Sequence, residues 1–178
     1  MSPNVTNRPL TPADFPAVSR LHAKVFGPGR FTRTAYRVRE GAPALSPYCR
    51  VALLGDRLVA AVRFTPINIG RVGGALLLGP LAVDAAYEGK GIGAALMRAA
   101  ILEAKNRQHG AILLVGDAAY YERFGFFAEG ARHLVMPGPF ERSRFLALEL
   151  VEGWLDGAAG MIVPTGRMLT SAPVRKAA

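Results

Sequence analysis

A single cysteine, Cys49, in 178 residues excludes an internal disulfide framework and any CxxC metal motif, and three scattered histidines (His22, His109, His133) form no ligand cluster. No metal site is expected. Long apolar runs are missing too: none approaches the roughly 18 residues that span a bilayer, and the opening MSPNVTNRPL has no apolar signal core. The expectation is a soluble cytoplasmic protein without membrane contact. Aromatics are sparse, at 8%, and do not interleave with the basic residues, which argues against nucleic acid as a partner despite a net charge of +9. No repeat, low-complexity tract or linker interrupts the chain, and 51% hydrophobic with 20% charged residues fits one domain over residues 1–178.

What the chain does have is concentrated in residues 76–96, LLLGPLAVDAAYEGKGIGAAL. Gly79-Pro80 interrupts an apolar strand, and because proline has no N–H for a sheet ladder, the pair predicts a bulge or splayed edge. Gly89, Gly91 and Gly93 then strip side chains from a turn that opens a long helix. Backbone N–H groups and the positive end of the helix dipole can there face one anion, which makes the turn a seat for pyrophosphate.

The surrounding pattern is coherent. Residues 51–54, a Gly55-Asp56 turn and residues 58–69 read as a β-hairpin, and residues 70–74 turn again into a strand over 75–83, making three antiparallel strands in succession. Ile92, Leu96, Ala99, Ala100 and Ala104 keep helical spacing as far as His109-Gly110. The apolar strand 111–115 follows, and this crossover predicts a parallel strand pair. Upstream, Arg8-Pro9-Leu10 reads as a first strand, a helix starts at Pro12 behind Thr11 and ends at Gly27-Pro28-Gly29, and a second helix covers 32–40. His22, on the apolar stripe of the first helix, reads as a structural histidine. Downstream, AAYYERFGF (118–126) is a short helix closed by Gly125 and leading into a strand from Phe126, and 144–151 is a further strand.

The spacing Glu88-Gly89-Lys90-Gly91-Ile92-Gly93 resembles the acyl-CoA signature of the GNAT superfamily of N-acetyltransferases, with Glu88 where the family usually has Gln or Arg. Tyr121, three residues, then Gly125-Phe126 resembles a second signature of that family, in the expected order. The resemblance covers roughly residues 6–152, leaves a basic tail from about 165 to 178 outside it, and is nearest the bacterial predicted acetyltransferase branch. It implies an α/β fold in which a mixed, mostly antiparallel sheet with a splayed parallel strand pair is flanked by helices. It also implies acetyl-CoA as co-substrate. The backbone of Leu81, Ala82 and Val83 would run along the pantetheine arm, and Glu88, Gly89, Lys90, Gly91, Ile92, Gly93 and Ala94 would surround the pyrophosphate. Arg123 would reach the CoA phosphates, and Tyr121 would face the thioester sulfur as general acid.

The chemistry of amide formation agrees. A neutral amine attacks the acyl carbon, an oxyanion forms and a thiolate leaves. A phenol of pKa about 10 stays protonated at neutral pH and can hydrogen-bond or protonate the departing sulfur, whose thiol has a pKa of about 8.5. Tyr120 is the adjacent competitor, but one helical residue turns it about 100° away, and the Gly-Phe spacing selects Tyr121; Tyr87 reads as a packing residue. The strand 75–83 holds no carboxylate or histidine, so no side-chain base is identified, and Glu40, His133 and Glu141 are left as ends of a water chain. Cys49 has no spaced histidine partner and reads as a small core residue.

Residues 1–50 carry eight Lys/Arg against Asp14 and Glu40, a net +6. Within this segment Arg30, Arg33 and Arg37 are the candidates to grip an acidic acceptor, a small-molecule or peptide amine. Two other readings stay open. One is a non-catalytic acyl-CoA-binding sensor or interaction module. The other, from Gly89-x-Gly91-x-x-Ala94 with Asp117 after the next strand, is an NAD(P)-binding oxidoreductase. The acceptor, the acyl chain length and the oligomeric state, homodimer included, are not written in the sequence.

Overall fold

The computed structural model describes residues 4–29, 34–40, 42 and 45–165. Eight strands and four helices follow one another: β1 (Val5–Pro9), α1 (Phe15–Phe26), α2 (Thr34–Arg39), β2 (Arg50–Leu54), β3 (Arg57–Ile69), β4 (Val72–Val83), α3 (Ile92–Asn106), β5 (Ala111–Val115), α4 (Ala118–Tyr121), β6 (Leu134–Val135), β7 (Phe145–Glu149) and β8 (Gly160–Pro164). The sheet order is β1-β2-β3-β4-β5-β7, with β8 beside β3 and β6 beside β8. Every pair along the main path is antiparallel except β4–β5, the two strands joined through α3. The expected mixed, mostly antiparallel sheet flanked by helices is therefore present. No helix of the described residues is long and apolar enough to cross a membrane.

Period-2 alternation along β3 separates the two helical layers. Ala60 and Val62 face α3, packing with Leu96, Met97 and Ala100, whereas Ala61 faces α1 and packs with Val18 and Leu21. Each of these larger side chains contributes roughly 1.5–3 kcal/mol by leaving water, so the sheet is clamped from both sides. At its far end Ile67, Leu77 and Leu113 pack with Val38 of α2 and with Trp154.

Several boundaries differ from the sequence expectation. The first strand starts at Val5 rather than Arg8, and the helix expected from Pro12 begins as a 3-10 turn, Pro12–Asp14, before α1. Residues 32 and 33 of the second helix, Arg30, and the basic tail beyond residue 165 lie outside the described residues. No strand starts at Phe126: Phe127 makes one isolated bridge to Ala147, a 3-10 turn follows at Glu129–Ala131, and only Leu134–Val135 is extended. The core also runs past residue 152. Trp154 is buried against Gly110, which leaves no room for a side chain there, and β8 is a further strand beyond those the sequence predicts. Its place has a physical reason. β2 accompanies β3 only up to Val62, and β8 covers the otherwise open edge from Ile67 to Ile69.

Candidate active site

The site begins where β4 parts from β5. Their ladder runs from Ala75 to Leu77 on β4, opposite Ala111 to Leu113, while Leu114 and Val115 of β5 continue on β7 alone. On its other side β4 carries a bulge. Between the pairs Val62↔Leu81 and Phe64↔Leu78, β3 advances two residues and β4 three, so Gly79-Pro80 takes up the extra residue. The separation opens a cavity of about 670 Å³ walled by Leu78–Leu81 on one side and by Val115, Gly116 and Tyr121 on the other.

At the neighbouring turn, Gly89 and Gly91 have φ of +73° and +77°, values that cost other residues strain. Gly91 is the N-cap of α3, so the first-turn N–H groups of Ile92, Gly93 and Ala94 have no partner within the helix and point out of its end. Gly93 is held close. A Cβ on it would meet Val83 Cγ2 at 3.2 Å and the Tyr120 hydroxyl at 3.4 Å, so β4, the start of α3 and α4 converge at this residue. Lys90 is exposed with its ammonium 5.1 Å from the Tyr87 ring centroid, and the Arg57 guanidinium lies 5.6 Å from the same ring. Glu88 is exposed. Behind the turn, Asp84 receives Lys24 Nζ at 3.0 Å and Arg57 at 3.2 Å and accepts the Ala86 N–H at 3.2 Å. These donors, Lys24 first, hold its carboxyl below the usual range and tie α1 to the end of β4.

Tyr121 packs its ring so closely on Gly116 that no side chain fits there, with Phe126 edge-on at 5.9 Å and Tyr120 at 4.9 Å. Burial, reinforced by neighbouring Tyr120 and opposed by Arg144, pushes its phenol up to about 12. Asp117 also faces the cavity, but its carboxylate caps α4 by accepting the Ala119 N–H at 3.1 Å. Arg144 donates Nε to the Gly116 carbonyl at 3.3 Å. Arg123 is placed on Tyr120, with Nε donating to that residue's carbonyl at 2.9 Å and the guanidinium 4.5 Å from its ring centroid.

Among the basic candidates for the acceptor side, Arg30 and Arg33 fall outside the described residues. Arg37 is exposed beside Gly138 and does not line the cavity. Arg39 does, and sequence reasoning missed it. Its guanidinium lies 5.0 Å from the Tyr36 ring centroid and against Gly79. Burial, followed by the nearby Arg63 charge, lowers its pKa to about 10.

None of Glu40, His133 and Glu141 borders this cavity. His133 bonds Arg132 at a separate depression, and Glu141 accepts from Ser143 at 2.9 Å. Cys49 is buried with its sulfur 3.3 Å from the Ser46 hydroxyl and 3.4 Å from the Phe64 N–H, which is a packing environment. His22 is buried against Phe26. No three His, Cys, Asp or Glu among the described residues are grouped to hold a metal ion. The dinucleotide reading loses its frame, because β4 ends at Val83, a 3-10 turn intervenes before α3 starts at Ile92, and the strands before it are antiparallel.

Residues 46–127 match a family described as the acetyltransferase (GNAT) domain. The chain is similar to an uncharacterized N-acetyltransferase, YhbS, of Escherichia coli, 24% identical over 156 residues that cover 85% of this chain and 90% of that one. The crystal structure of E. coli YhbS in complex with CoA has a TM-score of 0.79 at 24% identity, covering 92% of this chain and 91% of that one. A GNAT family acetyltransferase from Brucella melitensis in complex with acetyl-CoA has a TM-score of 0.61 at 24% identity, covering 82% and 96%.

Proposed function

We propose that this chain, whose residues 46–127 match the GNAT acetyltransferase domain, is an acyltransferase that moves the acetyl group of acetyl-CoA to a primary amine by direct attack in a ternary complex. The observation that carries this reading is Gly93, where the splayed strand, the N-terminus of α3 and the tyrosine-bearing α4 meet within van der Waals distance. The contact at Gly93 is with Tyr120, so the anion seat lies beside the helix that also carries Tyr121.

The residues present fit CoA. The N–H groups of Gly89 to Ala94, at the positive end of a 15-residue helix, suit a pyrophosphate. Lys90 adds a flexible cation, and the exposed Glu88 contributes backbone. The edge of β4 over Leu81, Ala82 and Val83, past the last β5 pair, suits an amide-bearing arm laid along it as an added strand. Arg123 acts here by holding Tyr120.

In the reaction, the amine nitrogen bonds to the acyl carbon and the carbon–sulfur bond breaks. Tyr121 gives its proton to the departing sulfur and recovers one from the cavity water that receives the ammonium proton, and its raised pKa keeps it protonated between turnovers. The ammonium proton leaves through water in the cavity, since the carboxylate on its wall, Asp117, is committed to capping α4. One domain over the whole chain suffices for these parts, and the acceptor is a small-molecule or peptide amine.

The first test is calorimetric titration with acetyl-CoA, NAD and NADP, followed by an amine screen. Acetyl-CoA binding with transfer dependent on Tyr121 is the expected result. Acetyl-CoA binding without transfer to any amine would favour the sensor reading, and no acetyl-CoA binding would end both.

A further inference from the structure

We infer that the cavity at the β4 splay is built to hold a carboxylate on Arg39, so that the acceptor is an amine that also bears a carboxylate group. The Nε and Nη1 atoms of Arg39 are closed off from solvent and have no hydrogen-bond partner among the described residues. All thirteen Asp and Glu residues of the chain lie among the described residues, and none of the ion pairs found there includes Arg39. A guanidinium without a counter-ion, pressed by the like charge of Arg63, is costly to keep. It becomes favourable once an anion arrives: Nη2, beside Gly79, forms with either Nε or Nη1 an edge of two parallel N–H groups that matches a carboxylate.

That anion does not come from CoA phosphate. The Gly89–Ala94 turn, where phosphate is seated in the reading above, forms no part of this cavity's wall. Arg39 instead touches Gly79 at the bulge, beside the gap between the strands. Arg144 adds a second positive charge to the wall, the Asp117 carboxylate on the same wall is engaged in capping α4, and Phe26, Leu78, Pro80 and Phe140 supply apolar lining, which suits a small acid with an apolar body.

Naming the acceptor rests on the transferase reading, whereas the carboxylate site does not, and the experiment separates them. 3-Phenylpropionate, which has a carboxylate and no amine, is titrated into the CoA-saturated protein. Transfer to phenylalanine is compared with transfer to phenethylamine. The wild type is expected to bind the probe and to show at least a tenfold lower KM for phenylalanine. Arg39→Gln should weaken probe binding and raise that KM about 10- to 100-fold, the worth of a charge-assisted hydrogen bond, while calorimetry shows CoA binding retained. Arg39→Lys, which keeps the charge without the fork, should fall between and carries the test should the Gln variant not fold. Probe binding that depends on Arg39 without transfer to any amine would remove the transferase reading and leave the carboxylate site standing. Equal binding to wild type and both variants, no binding at about 50 mM probe, or preference for phenethylamine would overturn the proposal.

Discussion

The Nη2 atom of Arg39 lies 3.1 Å from the point where a side chain on Gly79 would begin. Gly79 has φ +129°, a conformation that other residues rarely adopt. The bulge that opens the sheet and the cation that faces the opening are therefore a single packed unit. Gly79→Ala should push the guanidinium aside and strain the backbone by about 1–3 kcal/mol. Steady-state kinetics should show the acceptor KM rising at least tenfold, with acetyl-CoA affinity changed much less.

Arg39→Met should stabilise the protein even as it harms acceptor binding. Replacing a buried, unpaired guanidinium by an apolar chain of similar length removes a desolvation cost on the order of 1–3 kcal/mol. Thermal unfolding without ligands should show a higher midpoint; a lower one would mean that the charge is compensated in the folded protein.

Tyr121→Phe should lower kcat about 100-fold, the scale of losing a general acid, with little change in the affinity for acetyl-CoA. The pH profile carries a second check. A general acid works while protonated, and with the phenol pushed up to about 12, activity should rise with amine deprotonation and show no descending limb near pH 10. A limb at that ordinary phenol value would assign the proton to another group.

Gly91→Glu forces a side chain into φ +77° and sets a carboxylate at the helix start. Acetyl-CoA binding should weaken at least tenfold by calorimetry, while the far-ultraviolet circular dichroism stays that of the wild type.

His109 gives the fold a pH dependence separate from catalysis. Fully buried, it hydrogen-bonds the Tyr48 hydroxyl through Nε2, and burial lowers its pKa from 6.5 to about 4. Between those values the unfolded chain binds the proton and the folded protein does not, so stability falls as pH drops from 6.5 towards 4. At 1.36 kcal/mol per unit the loss reaches about 3 kcal/mol. Melting midpoints from pH 7 to 4.5 should fall accordingly, and His109→Gln should flatten that slope from a lower starting stability.

Much of this site is legible without coordinates because its signals are local. A proline cannot donate to a ladder and glycine alone tolerates positive φ cheaply, so Gly79-Pro80 marks the bulge and Gly89 and Gly91 mark the turn wherever the rest of the chain goes. Helical spacing from Ile92 to Ala104 places α3 between two strands, and a helix that carries the chain back along the sheet makes those strands parallel.

Other features have no local signal. Nothing in the run Arg33, Arg37, Arg39 distinguishes one guanidinium from another. Between the described Arg37 and Arg39, Arg39 reaches the cavity because Thr34 and Val38 turn their face of α2 inward and Thr34 bonds the Pro139 carbonyl, over a hundred positions away. β8 has only Met161, Ile162 and Val163 between Gly160 and Pro164, both poor strand residues, and it exists because β3 outruns β2 and leaves an edge to cover. The sequence by itself determined the backbone devices of this protein, the bulge, the glycine turn and the tyrosine helix, since each follows from the φ range or hydrogen-bonding capacity of its own residues. Only the tertiary structure decided which charge is buried and which edge is covered, because desolvation and pairing depend on what distant segments bring alongside.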